Sequence, residues 1–175
     1  MKIYAFDFDG TLFDTPDPEI GKPIFKEKTG LDWPYRGWWS KRESLDTKIF
    51  NIKPISWVYS EYLKATSKDD MVIMATGRME SLRIEVDHIL KKNGVEFDKV
   101  YLNPGMDTYV YKTRLFSGLI EKHSPDKFVM YDDDFYLEFS DSVHRDSHLE
   151  KFVDWAKTQP CQIDIIDVKI KKVIN

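Results

Sequence analysis

Four short apolar runs constrain this chain more than any other feature. They are residues 2–8 (KIYAFDF), 71–75 (MVIMA), 98–102 (DKVYL) and 127–131 (KFVMY). Each stops at polar or glycine residues, and runs this short and apolar suit strands buried on both faces. Helical patterns lie between and after them. Residues 78–93 place Met79, Leu82, Ile84, Val86, Ile89 and Leu90 near a 3.6-residue period, with Asn93-Gly94 as a stop. Residues 108–122 do the same with Val110, Leu115, Leu119 and Ile120, and residues 147–157 with Leu149, Phe152, Val153 and Ala156. Strand alternating with helix predicts an α/β fold with a mostly parallel sheet and right-handed crossovers. The alternating run 162–168 (QIDIIDV) suggests a fifth strand, with an edge position open to it.

The gap between the first two runs is too long for a crossover, which needs only about a dozen residues. Residues 12–66 hold four of the five tryptophans, together with Pro16, Pro18, Pro23 and Pro34. Residues 55–66 look helical. The remainder is too rich in Gly, Pro and Trp for one regular element. The excess reads as a cap, inserted at about 12–66 into a single domain whose core is 1–11 and 67–175.

An apolar fraction of 42% is enough for a sizeable core. A net charge of −4 gives no overall attraction to nucleic acid or anionic membrane, so a nucleic-acid substrate would need a local basic patch. Cys161 is the only cysteine, which excludes an internal disulfide and a cysteine-based metal cluster. The first residues lack a signal-peptide pattern, and no run approaches the ~18 apolar residues of a membrane span. A cytoplasmic enzyme or binding protein is expected, without an obligate protein partner.

Chemistry collects at the ends of the runs. Ligands of open parallel sheets bind at the carboxyl ends of the strands. Run one ends in Asp7 and Asp9, run two in Thr76-Gly77-Arg78, and run four in Asp132-Asp133-Asp134. Several carboxylates at one edge repel one another, and a hard divalent cation, Mg²⁺ above all, would offset this. A phosphate would need donors. Thr76 offers a hydroxyl, the amides of a helix opening after it suit an anion, and Lys112 could add positive charge. Asp7 beside Mg²⁺ and phosphate is a candidate nucleophile, Asp9 a candidate general acid and base, and Gly10 lets the chain bend.

These residues resemble the haloacid-dehalogenase-like phosphatases. Asp7-Phe8-Asp9-Gly10-Thr11 matches the DxDGT signature, and Thr76 in MATGR, Lys112 in YVYKTRLF and Asp132-Asp133 follow in the family's order. The resemblance spans residues 2 to about 157. It implies a Rossmann-like three-layer core with a small helical cap after the first strand. It also implies Mg²⁺-dependent phosphoryl transfer to Asp7, then hydrolysis. Asp9 would protonate the leaving group, activate water and bind Mg²⁺ through its backbone carbonyl. GWWSKRESLD and the late HLEKF are similar to the branch grouped with RNA-repair (Swiss-army-knife-type) polynucleotide phosphatases. Asp134 departs from that branch, which has arginine there, and residues 135–146 separate Asp133 from His148.

Other readings stand beside these. Thr76 could also cap its helix, and Lys122 or Lys127 could replace Lys112. Arg78 could grip a phosphate or pair with a carboxylate of the acidic edge. Trp38 and Trp39 could stack a nucleobase or fill the cap's core. Asp134 reads as a solvated turn residue. His144 and His148 sit four apart without the Glu of a zinc motif. The expected substrate is a nucleotide or a nucleic-acid terminal phosphate. The alternatives are a nucleotidase or sugar phosphatase, or an idle module that binds phosphorylated ligands.

Overall fold

In the computed structural model, residues 1–133 and 148–174 are described. Asp134, residues 135–146 with His144, and the side chain of His148 lie outside the described residues. Six strands form one sheet in the order β3-β2-β1-β4-β5-β6. They are β1 (Lys2–Phe6), β2 (Met71–Met79), β3 (Lys99–Asn103), β4 (Lys127–Asp132), β5 (Gln162–Asp167) and β6 (Lys172–Ile174). All neighbours run parallel except β5 and β6.

Alternation along each strand sends side chains to two faces, and helices cover both. Tyr4 and Phe6 of β1 belong to one core with Val72 and Met74 of β2, α2 (Ser56–Thr66) and α3 (Arg83–Lys92). Ile3 and Ala5 belong to the other, with α4 (Thr108–His123) and α5 (His148–Lys157). The result is a Rossmann-like three-layer α/β fold. Its central strand, β1, carries Asp7 just past its end, at the point where strand order reverses.

Between β1 and β2 the chain forms α1 (Pro18–Thr29), a 3-10 turn (Arg42–Leu45) and then α2. The last of these is the crossover helix, with Val58, Tyr62 and Ala65 packed on the sheet. The earlier residues are the excess, and their core of Phe25, Trp38, Leu45, Phe50 and Ile52 is continuous with that of the sheet face. Helix α1 was hidden by composition. Asp17 caps it by accepting from the amides of Glu19 and Ile20, Pro18 opens it, and Gly30 ends it at φ +74°. Pro23, inside it, masked these signals.

Two other expectations change. No helix opens at residue 78: β2 continues to Met79 through an irregular register, a 3-10 turn follows, and α3 starts at Arg83. The apolar period of 78–82 comes from strand and turn residues. The run at 162–168 is not at the edge, because β6 pairs outside β5. The three residues of β6, Lys-Val-Ile, are too few to give a strand signal. Among the described residues, no helix is long and apolar enough to cross a membrane.

Candidate active site

Three elements bring their charges to one buried point. Asp7 follows β1, Asp132 ends β4, and Lys112 comes from the second turn of α4. All three side chains are almost fully buried. The Lys112 ammonium donates to Asp7 Oδ1 at 2.9 Å and to Asp132 Oδ2 at 2.5 Å. Asp133 completes the group: Asp7, Asp132 and Asp133 each offer an oxygen within 4.8 Å of the others. Lys169 stands at the rim, 3.8 Å from Asp133.

The charges are unequal, and the protonation equilibria show it. Burial holds the Asp7 carboxyl well above its usual range; Lys112 opposes this, and Asp132, Asp133 and Asp9 add to it by repulsion. Burial alone would lower the Lys112 amine, but Asp132 and Asp7 more than offset it and hold it above its usual value. Asp7 and Asp132 thus share one buried ammonium, while Asp133 beside them has Lys169 at its outer edge. An all-oxygen donor set with surplus negative charge fits a hard cation, so the trio could hold a metal ion.

Gly10 is required by this packing. Its φ is +62°, and a Cβ there would overlap the Asp133 carboxylate. Thr11 donates to the same carboxylate at 3.5 Å, at the limit of a hydrogen bond.

The Asp9 carboxylate is not part of the trio. It pairs with Arg78, whose Nε donates to Oδ2 and whose Nη2 donates to Oδ1, both at 2.8 Å. Arg78 Nη1 donates to the Trp39 carbonyl at 2.5 Å and to Ser44 Oγ at 2.8 Å. Four of its five N–H groups are therefore engaged. Of the two readings open to Arg78, the ion pair with a carboxylate is the one observed. A bidentate grip on phosphate would require breaking it.

Thr76 is fully buried, and its Oγ1 accepts the Arg78 amide at 3.1 Å. It caps no helix, since none begins there. Gly77 lies close to α4, where a Cβ would come 3.1 Å from Thr108 Oγ1.

The tryptophan pair divides. Trp38 is 3% exposed, donates its indole N–H to the Pro16 carbonyl, and packs against Gly21, Trp33 and Phe50. Its ring belongs to the core, which is the second of the two readings weighed for it. Trp39 is 45% exposed, and the Arg78 guanidinium lies 4.9 Å from its ring centroid.

Two residues that touch Asp9 or its partner were not among the candidate site residues read from the sequence. Thr15 donates to Asp9 Oδ1 at 2.8 Å, and its position six residues after Asp9 was the only hint. Ser44 lies within the GWWSKRESLD stretch, which did not single it out.

No protein-family model matches the chain, and no curated protein sequence matches it. It is similar in fold to a chain of a solved structure, that of the Pnkp1/Rnl/Hen1 RNA repair complex. The TM-score is 0.53 at 17% identity, over 95% of this chain and 43% of the other. The chain thus spans less than half the length of that relative.

Proposed function

We propose that this chain is a Mg²⁺-dependent phosphatase that hydrolyses a phosphate monoester through an aspartyl-phosphate on Asp7. The observation that carries this reading is the buried Lys112 bridge between Asp7 and Asp132, with Asp133 alongside. A structural ion pair needs two partners. Here a third carboxylate, Asp133, follows the end of β4 at the carboxyl edge of the sheet, where repulsion is costly unless a ligand uses it.

Asp7 forms the bond to phosphorus as the ester's P–O bond breaks, and Asp9 gives the leaving oxygen its proton. A water molecule then attacks phosphorus, Asp9 takes a proton from it, and the bond to Asp7 breaks. Asp7, Asp132 and Asp133 would hold Mg²⁺ with the Asp9 backbone carbonyl, and the ion would screen the phosphate's charge and orient the phosphorus. Lys112, Thr76 and the Gly77 backbone bind the phosphate oxygens. Arg78 serves Asp9 rather than the phosphate.

The substrate class is a nucleotide or a nucleic-acid end. The half-exposed Trp39 ring beside Arg78 suits stacking on a base. A fold shared with a chain of an RNA repair complex agrees with this. The test compares kcat/KM, with Mg²⁺ present, for phosphorylated oligonucleotides, mononucleotides and sugar phosphates. Preference for the nucleic-acid series supports the assignment. Equal or better turnover of sugar phosphates overturns it.

A further inference from the structure

Asp9 is held from two directions by residues outside the acidic trio. Oδ1 receives the Thr15 hydroxyl and Arg78 Nη2, each at 2.8 Å, while among the described residues Oδ2 receives only Arg78 Nε. Each carboxylate oxygen offers about two acceptor sites. Oδ1 is therefore filled by protein donors, and Oδ2 keeps one site.

The guanidinium that does this is itself fixed. Arg78 is 2% exposed, and its far end is anchored on the Trp39 carbonyl and Ser44 Oγ. Ser44 is fully buried, and its hydroxyl donates to the Lys41 carbonyl at 2.7 Å, which turns its oxygen toward Arg78. A continuous hydrogen-bonded line therefore runs from the segment 39–44, through Arg78, to the candidate acid just beyond β1. Thr15 reaches the same acid from the start of the insertion.

We infer that Thr15 and Ser44 are positioning residues: Thr15 directly, and Ser44 through Arg78, turn Asp9 so that Oδ2 is the oxygen that moves the proton. The inference rests on the phosphatase reading. In the first half-reaction the O–H bond at Oδ2 breaks, and its proton goes to the leaving oxygen as that oxygen parts from phosphorus. In the second, water gives a proton to Oδ2 as its oxygen bonds to phosphorus and the P–O bond to Asp7 breaks. A freely rotating Asp9 would offer either oxygen, and fixing one preserves the geometry that proton transfer needs.

The leaving group provides the test. An alkoxide needs the proton as it departs, whereas p-nitrophenolate is a stable anion and hardly needs it. The value of kcat/KM covers steps up to release of the leaving group, so it isolates the first half-reaction. The variants are Thr15→Val, which keeps the shape but removes the hydroxyl, Thr15→Ser, which keeps the hydroxyl, and Ser44→Ala.

For Thr15→Val and Ser44→Ala, the ratio of kcat/KM on a nucleoside monophosphate to that on p-nitrophenyl phosphate is expected to fall about tenfold or more. Thr15→Ser should restore most of it. Equal losses on both esters, as a merely structural role would give, overturn the inference, and so does an unchanged ratio. The Thr15 pair decides the matter if Ser44→Ala does not fold. If the wild type turns over neither ester, the phosphatase reading falls and this inference with it. If it turns over both and the ratio does not move, only this inference falls.

Discussion

Lys112 reaches across from α4 to place its ammonium 2.9 Å from Asp7 Oδ1, and it is the main influence that lowers the proton affinity of that buried carboxyl. Removing it leaves Asp7 and Asp132 buried together without their shared cation. Breaking a buried pair in this way costs about 3–5 kcal/mol. Lys112→Met should lower the denaturation midpoint accordingly. Adding Asp132→Asn should recover part of the loss, because one of the stranded charges goes with it. Urea unfolding of the single and double variants checks this, and additive losses would refute it.

Asp7→Asn is expected to abolish turnover and to stabilise the fold. The carboxyl lies well above its ordinary value of 3.8 because burial disfavours its charge. The folded state therefore holds this proton to higher pH than the unfolded state, and stability falls as pH rises from the unfolded value toward the folded one. Asn carries no charge, so the variant should lose this part of the pH slope and melt a few degrees higher above the window. Thermal melts from pH 3 to 8 in EDTA test the slope; a lower melting temperature at neutral pH sinks the account.

Metal should act on stability as well as on rate. A ligand present at 100 times its Kd adds about 2.7 kcal/mol to the native state. Mg²⁺ is expected to raise the melting temperature of the wild type, and much less that of Asp132→Asn or Asp133→Asn. EDTA should abolish turnover, and Mg²⁺ should restore it. Full activity in EDTA would remove the proposed role for the carboxylate trio.

Gly10→Ala should damage both fold and site. Left-handed backbone costs a residue with a Cβ about 1–2 kcal/mol, and here the methyl also overlaps Asp133. A drop in unfolding free energy of at least about 1 kcal/mol, with weaker Mg²⁺ binding, is expected by calorimetry. Unchanged Mg²⁺ affinity would show that Asp133 is not needed for the ion.

The two tryptophans should separate by phenotype. Trp38→Ala empties a packed core and should cost about 3–5 kcal/mol. Trp39→Ala should leave unfolding within about 1 kcal/mol of the wild type, because much of that ring is already in water. Its effect should fall on KM for nucleotide substrates. Equal KM values for wild type and Trp39→Ala would remove Trp39 from the binding site.

Much of the core was legible because local signals agreed with the global fold. The parallel strands were visible as apolar runs, since burial on both faces leaves little room for polar residues. The clustering of Asp7 with Asp132 could be expected from strand ends alone, because a parallel sheet delivers all its carboxyl ends to one edge; Lys112 comes from a helix, and strand ends did not single it out. Helix α1 and strand β6 were not legible. One was obscured by proline and glycine, and the other is three residues whose pairing depends on β5 being present.

What the sequence by itself determined was the alternation of elements and therefore the edge at which chemistry collects. Periodicity and strand termini are properties of neighbouring residues. Only the tertiary structure decided that Trp38 is core while Trp39 faces water, and that Arg78 pairs with Asp9. It also brought Thr15 and Ser44 to the same charged pair. Those outcomes depend on how a segment with little regular structure folds back on the sheet. Its geometry is set by packing and hydrogen bonds between residues distant in the chain, which no local pattern records.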